Sequence, residues 1–433
     1  ALAEYAELHA GILDPGNETA PKRFLVLRAG HGLANTMLEE VTALLVAMLS
    51  RRALLFDLSG AVFAHPRPDD HAVFARPLLL APEALLPFLP PADAEAPPGR
   101  GALAIDERQG FRDWADPAAG GGYARYARVL ACEDWRARAS EPRLRAEHLF
   151  GAPFALLNPH HAAELRALFG PGARALFPRL HAFLHGPTEP ILDRAAALLR
   201  ALRAGDAGDR PQCTVGIHLR WHHLAEEAAR AGAAPAPDPA ARRAAQRAAA
   251  RAFVARAVEV CAAEQGAEAG GAGVAVWVAG DYAEVVDAAV AVAKEEFGVR
   301  ALSLAGQEQG TERVARPGAG SDLSGDNSDH AGALADLEVL SRCAHFVGTR
   351  LSTFSFVAHA RRQPPARPYH LCGARAPGPD GWGCMEVPHG QAGLVAAGAA
   401  PAAWPWTPAA LERLREDCAG GAQADAPGML LPV

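Results

Sequence analysis

The second half of the chain alternates short apolar runs with longer helical stretches, and this alternation restricts the fold more than any other feature. The runs at 214–219, 274–279, 299–304, 345–348 and 369–372 read as strands. Between them, 240–264, 282–297 and 329–343 read as helices, and a further helix starts at Ser352. Strands this short, separated by helices, predict a parallel sheet covered on both faces. The first half opens the same way. A strand at 23–27 leads through the loop RAGHGLAN (28–35) into a helix at 36–50 and a strand at 53–58, a β-α-β unit. Thr36 and Glu39 have capping-box spacing. Leu38, Val41, Leu45 and Met48 recur at helical spacing. The G-x-G-x-x-G dinucleotide fingerprint is absent from this unit.

Residues 61–150 read as irregular, rich in Pro and Gly, with helices near 82–88 and 142–150. Helices follow at 159–168 and 181–202, the second bridging two domains. The expected organisation is an α/β protein with one parallel sheet per half: a domain at 1–200, a domain at 201–400, and a tail at 401–433 packing back. The length of 433 residues accommodates two or three domains. An Ala- and Pro-rich loop interrupts the second half at about 229–239. Alanine is used so heavily that its helix propensity is discounted.

The formal charge of −7, from 42 basic and 49 acidic residues, argues against a nucleic-acid partner. No run of about eighteen apolar residues is read, so no transmembrane helix is expected. The chain starts at Ala1 rather than methionine, as expected of a form trimmed of an anchor or signal. The seven cysteines include no Cys-x-x-Cys pair, which argues against a zinc site. Cys372 and Cys384 flank a Gly- and Pro-rich loop, as a disulfide or as two free thiols. Asn17-Glu18-Thr19 is a glycosylation sequon.

Two segments carry the chemistry. HFVGTRLSTFSFVAHA (345–360) runs a strand through a turn into a helix whose first residues are Ser352, Thr353, Phe354 and Ser355. A helix start has unpaired N–H groups and a positive dipole end, and hydroxyls there suit a phosphate. Ser352 or Thr353 reads equally as a cap. VGIHLRWHH (215–223) places His218 and Arg220 at a strand's carboxyl end, where ligands of open α/β sheets bind. The arginine fork matches phosphate oxygens, although a surface ion pair accounts for Arg220 alone. His218 alone reads as a core histidine. Asp281 ends another strand, as a ribose or base ligand or as a helix cap. Asp336 lies in a helix with Leu334, Leu337 and Leu340, where it reads equally as solvated. His31, Gly32 and Asn35 occupy the first strand-to-helix loop, as ligand contacts or as turn chemistry. There is no Asp-x-Asp triplet for a diphosphate-bound cation. The adjacent His222 and His223 point to opposite faces of a strand and do not form a metal pair.

With these residues in view, the chain resembles the plant xyloglucan fucosyltransferase family, a branch of the GDP-fucose-dependent fucosyltransferases. GLANTMLEEVTALLVAMLSRRALLFD, LFPRLHAFLHGPTEPILD with its Pro187-Thr188 element, GIHLRWH and GTRLSTFSFVAHA carry the likeness. It implies the GT-B fold, two facing Rossmann-like domains. It implies Arg220 as the catalytic, diphosphate-binding residue. It implies a donor site of His218, Arg220, Asp336, Ser352, Thr353 and Phe354, to which the strand-end reading adds Asp281, with Gly32 and Asn35 in a cleft loop. The implied reaction is inverting, α-1,2-type transfer of fucose from GDP-fucose to a glycan hydroxyl. No metal and no cofactor are expected. A general base is left unassigned between Asp57 and His31. The expected setting is the Golgi lumen, with any membrane anchor outside this chain and a homodimer left open. The 61–150 region and the Ala-rich insert depart from the plant pattern, which leaves the acceptor open. Transfer of another GDP-sugar, a catalytically inactive glycan-binding protein and a nucleotide-binding scaffold are the alternatives.

Overall fold

The computed structural model describes residues 2–28, 33–57, 102–103, 128–137, 143–147, 152–155, 157–170, 176–204, 213–221, 224–225, 238–265, 273–304, 330–350, 352–362, 369–373, 383–387, 414 and 416–418. The chain divides into two compact units. Unit 1 comprises Ala1–Gly186 and Gly398–Val433, and unit 2 comprises Pro187–Ala397. The division falls at the Gly186-Pro187 junction rather than at 200.

Unit 1 contains α1 (Leu2–Leu13), β1 (Phe24–Arg28), α2 (Leu33–Ser50), β2 (Ala53–Asp57), β3 (Ala102–Leu103), β4 (Arg143–Glu147), α3 (Ala152–Ala155), α4 (Ala162–Phe169) and α5 (Leu176–His185). Its sheet has the order β2-β1-β4-β3 and every described pairing is parallel. The sequence reading made 142–150 a helix. The segment RLRAE is instead β4, registered between β1 and β3, so tertiary pairing overrides its local preference.

Helix α1 went unread in the sequence, and its role is specific. Edge strand β2 turns the N–H and C=O of Leu54 away from β1. The Leu54 N–H donates to Tyr5 Oη at 3.1 Å, His9 Nε2 donates to the Leu54 carbonyl at 2.9 Å, and Tyr5 Oη donates to the Arg52 carbonyl at 3.1 Å. An exposed strand edge is thereby covered. Burial raises the Tyr5 pKa and lowers that of His9.

Helix α2 starts at Leu33, three residues before the expected Thr36. Thr36 is therefore a buried residue inside the helix rather than its cap. Its 18 residues have a mean hydropathy of 1.3, enough by length and composition alone to cross a membrane, although polar residues such as Glu39 and Glu40 interrupt the apolar run. However, 83% of it is buried inside the protein, as befits a core helix. Its Glu40 pairs with His185 of α5, both almost fully buried. The single helix expected at 181–202 is two: α5, and α6 (Glu189–Arg203), which belongs to unit 2. Pro187 and Pro190 cannot continue a helix, although Pro190 fits the first turn of the next one.

Unit 2 continues with β5 (Cys213–Leu219), α7 (Pro239–Gln265), β6 (Val274–Gly280), α8 (Ala283–Phe297), β7 (Arg300–Ser303), α9 (His330–Arg342), β8 (His345–Thr349), α10 (Thr353–Ala360), β9 (Tyr369–Gly373) and β10 (Gly383–Val387). The sheet order is β10-β9-β8-β5-β6-β7, with β10 antiparallel and the other pairings parallel. The α/β class with parallel sheets read from the sequence is the class observed. The chain steps outward through β6 and β7, then returns to the other side of β5. This puts a topological switch point between β5 and β8.

The strands alternate their faces. Val215, Ile217, Leu219, Val276, Val278 and Val347 pack with Phe253 and Ala257 of α7 and Val285 of α8 in one buried cluster. Gly216 faces the other way. A Cβ there would lie 2.9 Å from Leu340 of α9, so glycine permits this helix to approach. Burial of each large apolar side chain contributes about 1.5–3 kcal/mol.

Candidate functional site

The switch point brings the two segments singled out in the sequence together. The bridge is Thr349, the last residue of β8, which is fully buried. Its Oγ1 donates to the carbonyl of His218 at 2.9 Å and accepts from the backbone N–H of Arg220 at 2.8 Å. Its own N–H donates to Ser355 Oγ at 3.0 Å. Ser355 Oγ also meets His218 Nδ1 at 2.8 Å, and the His218 ring stacks on Phe354 with centroids 4.7 Å apart. His218 is thus a positioned residue, 4% exposed, clamped between the first turn of α10 and the end of β5. Gly348 is necessary here, because a Cβ would lie 2.8 Å from Ser355 Cβ and Oγ.

Arg220 follows β5 immediately. Its Nε lies 3.2 Å from Asp281 Oδ2, and Asp281 Oδ1 accepts the Trp221 N–H at 2.7 Å. Asp281 is therefore engaged in orienting the arginine, where the sequence reading offered a ribose contact or a cap. The cap of α8 is Tyr282. The ion pair uses the Nε edge of the guanidinium and leaves the paired Nη edge for a planar anion. The Arg220 side chain is 37% exposed and that of Asp281 9%, so the fork reaches solvent from a buried anchor.

Ser352 is the N-cap residue of α10, but its side chain makes no capping bond. It is 1% exposed, while Thr353 and Phe354 are half-buried. The capping alternative for Ser352 is thus set aside, and the amino end of α10 keeps its donors. Asp336 is half-buried in α9. Its Oδ1 accepts from Trp277 Nε1 at 2.8 Å. Trp277 pairs with Gly216 in mid-sheet, two positions short of the His218 level.

Asn35 lies in the first turn of α2 in unit 1, and its Oδ1 is buried without a hydrogen-bond partner. His31, Gly32, His222 and His223 lie outside the described residues, as do the helix read at 82–88 and the loop at 229–237. Asp57 is the last residue of β2. The structure therefore joins His218, Arg220, Asp281, Ser352, Thr353 and Phe354 around one switch point. Thr349, which the sequence reading missed, and Ser355, read there only as one of the helix-start hydroxyls, complete it. Their role depends on the β5–β8 register, which pairs His218 with Gly348.

No protein-family model matches this sequence, and no curated relative matches it. Solved structures do. The chain shares its fold with FUT1 of Arabidopsis thaliana. That structure, a point variant in complex with GDP, is 17% identical, with 89% of this chain and 81% of that chain covered at a TM-score of 0.54. The fucosyltransferase NodZ from Bradyrhizobium matches at 16% identity over 84% of this chain and 98% of its own, with a TM-score of 0.46. POFUT1 in complex with GDP-fucose matches at 14% identity over 82% and 98%, with a TM-score of 0.40.

Proposed function

We propose that this chain is a fucosyltransferase that moves fucose from GDP-fucose to a glycan hydroxyl. The observation that carries this reading is the Thr349 bridge, which fixes Arg220 beside the hydroxyl-rich amino end of α10. The fold shared with a GDP-complexed plant structure supports it.

In the proposed reaction the bond between fucose C1 and the diphosphate oxygen breaks, and its electron pair goes to GDP. The acceptor hydroxyl attacks C1 from the opposite face and loses its proton, inverting the centre. Charge builds on the diphosphate as the bond breaks. The Nη edge of Arg220 and the N–H groups of Thr353 and Phe354 are set to receive it. Because β5, β8 and Asp281 already hold these donors, little reorganisation is needed when the charge develops. Phe354, half-buried and backed by the His218 ring, lies beside them and is suited to a nucleotide's apolar face.

The finer reading follows the sequence resemblance. It is a metal-independent xyloglucan-type enzyme with α-1,2 linkage, acting on a cell-wall or glycoprotein glycan. It would work in the Golgi lumen, held by an anchor outside this chain, with a homodimer as a further proposal. Thermal shift against a panel of GDP-sugars tests the donor, since a bound ligand raises the melting temperature by mass action. Stabilisation by GDP and GDP-fucose above other GDP-sugars, with release of GDP only in the presence of acceptor glycan, is the expected result. Normal GDP-fucose turnover by Arg220→Ala would overturn the assignment. Glycan binding without GDP release from any donor would favour an inactive binding protein.

A further inference from the structure

The opposite, amino end of the unit 2 sheet gathers a second set of chemically able groups that sugar transfer does not use. Cys213 opens β5, His345 opens β8, and Cys261 and Glu264 lie one turn apart on the same face of α7. Cys213 Sγ, the His345 ring and the Glu264 carboxylate present ligand atoms within 4.8 Å of one another. Cys261 Sγ is bonded directly to Cys213 Sγ. His345 Nε2 lies 2.7 Å from Glu264 Oε2. The two sulfurs and the imidazole are buried, whereas the Glu264 side chain is 37% exposed and opens the cluster to solvent.

Two thiolates, one imidazole and one carboxylate form a four-ligand set suited to tetrahedral zinc. We propose that the Cys213–Cys261 disulfide masks a zinc-class metal site, which reduction exposes. A trialkylphosphine supplies the two electrons. It attacks one sulfur, the S–S bond breaks, and water completes the exchange, giving one phosphine oxide and two thiols. The metal ion then displaces one proton from each thiol and binds the two sulfurs, His345 Nε2 and a Glu264 oxygen. Imidazole coordination moves the remaining ring proton to Nδ1. The metal takes over the link between α7 and β5 and adds β8 to it. The sequence reading dismissed zinc for want of a Cys-x-x-Cys pair. Here the sheet supplies the proximity that sequence spacing does not, because the two cysteines are 48 positions apart.

The test uses the full chain, reduced with tris(2-carboxyethyl)phosphine, freed of reductant under argon and titrated with Co²⁺. The expected result is one Co²⁺ per chain, with a thiolate-to-cobalt charge-transfer band that Zn²⁺ bleaches and the oxidised protein never shows. Cys213→Ser combined with Cys261→Ser abolishes the band. The variants His345→Gln and Glu264→Gln, made singly, each weaken cobalt binding at least about tenfold. Removing the other two disulfides by serine substitution leaves the band unchanged. Three results overturn the proposal: a reduced chain with no band, a band that persists without Cys213 and Cys261, and a band indifferent to both His345 and Glu264. A reduced chain that unfolds and is not refolded by cobalt overturns it as well.

Discussion

The two ends of β5 use the same neighbours in opposite ways. At the carboxyl end, the strand meets β8 through hydrogen bonds to Thr349, and the side chain beyond them, Arg220, is left reaching outward. At the amino end, the strand is covalently tied to α7 through Cys213 and Cys261, and His345 closes over the junction. One end is arranged to present charge and the other to fasten a helix. A parallel sheet favours this division, because its carboxyl edge collects the loops that can vary while its amino edge holds the frame.

The sharpest way to break this comparison is Arg220→Ala. It should cut turnover by about 10²–10³ while the melting temperature stays near that of the parent. A large loss of stability instead would move Arg220 into the frame. Replacing Cys213 and Cys261 by alanine should act in the opposite sense. Opening that cross-link should cost about 4 kcal/mol in the chain-entropy account, read as a shift in the denaturant midpoint. An unshifted midpoint would deny the amino end its fastening role. Thr349→Val tests the border between the two ends. Leaving the Arg220 N–H and the His218 carbonyl without this partner should cost about 1–3 kcal/mol of stability and weaken GDP binding together. A change in only one of the two would separate the bridge from the site. The smallest effect concerns Cys343, the free cysteine beside the sheet, buried and pushed up to about 12. A maleimide should label no cysteine in the native unreduced chain and one after unfolding in urea. Labelling of the native protein would show that this part of the frame opens.

How far the sequence disclosed the molecule differs between the same regions. The strands of unit 2 were legible because each is a short apolar run closed by glycine or a polar turn, and their helices follow at regular spacing. Arg220 and Ser352 were legible as types at a strand end and a helix start. Thr349 was not, since nothing in a lone threonine reveals which strand will pair beside it. Asp281 and Asp336 could be located but not given partners, because Arg220 and Trp277 reach them only through the sheet. In unit 1 the strand RLRAE alternates charged residues with Leu144 and Ala146 over only five positions, and all five are residue types that also favour helices, so its identity comes from pairing with β1 and β3. The Cys372–Cys384 disulfide was among the readings and is present. The Cys132–Cys418 and Cys213–Cys261 pairs join positions 286 and 48 apart, which spacing rules do not connect.

The Cys132–Cys418 bond sets an order of events during synthesis. Unit 2 is one uninterrupted stretch, whereas unit 1 is assembled from segments on either side of it. Cys418 leaves the ribosome only after every strand of unit 2, so until then Cys132 stays a loose thiol on an incomplete body. The inserted unit can therefore mature first, and the surrounding one is sealed last, by whatever oxidant meets the finished polypeptide.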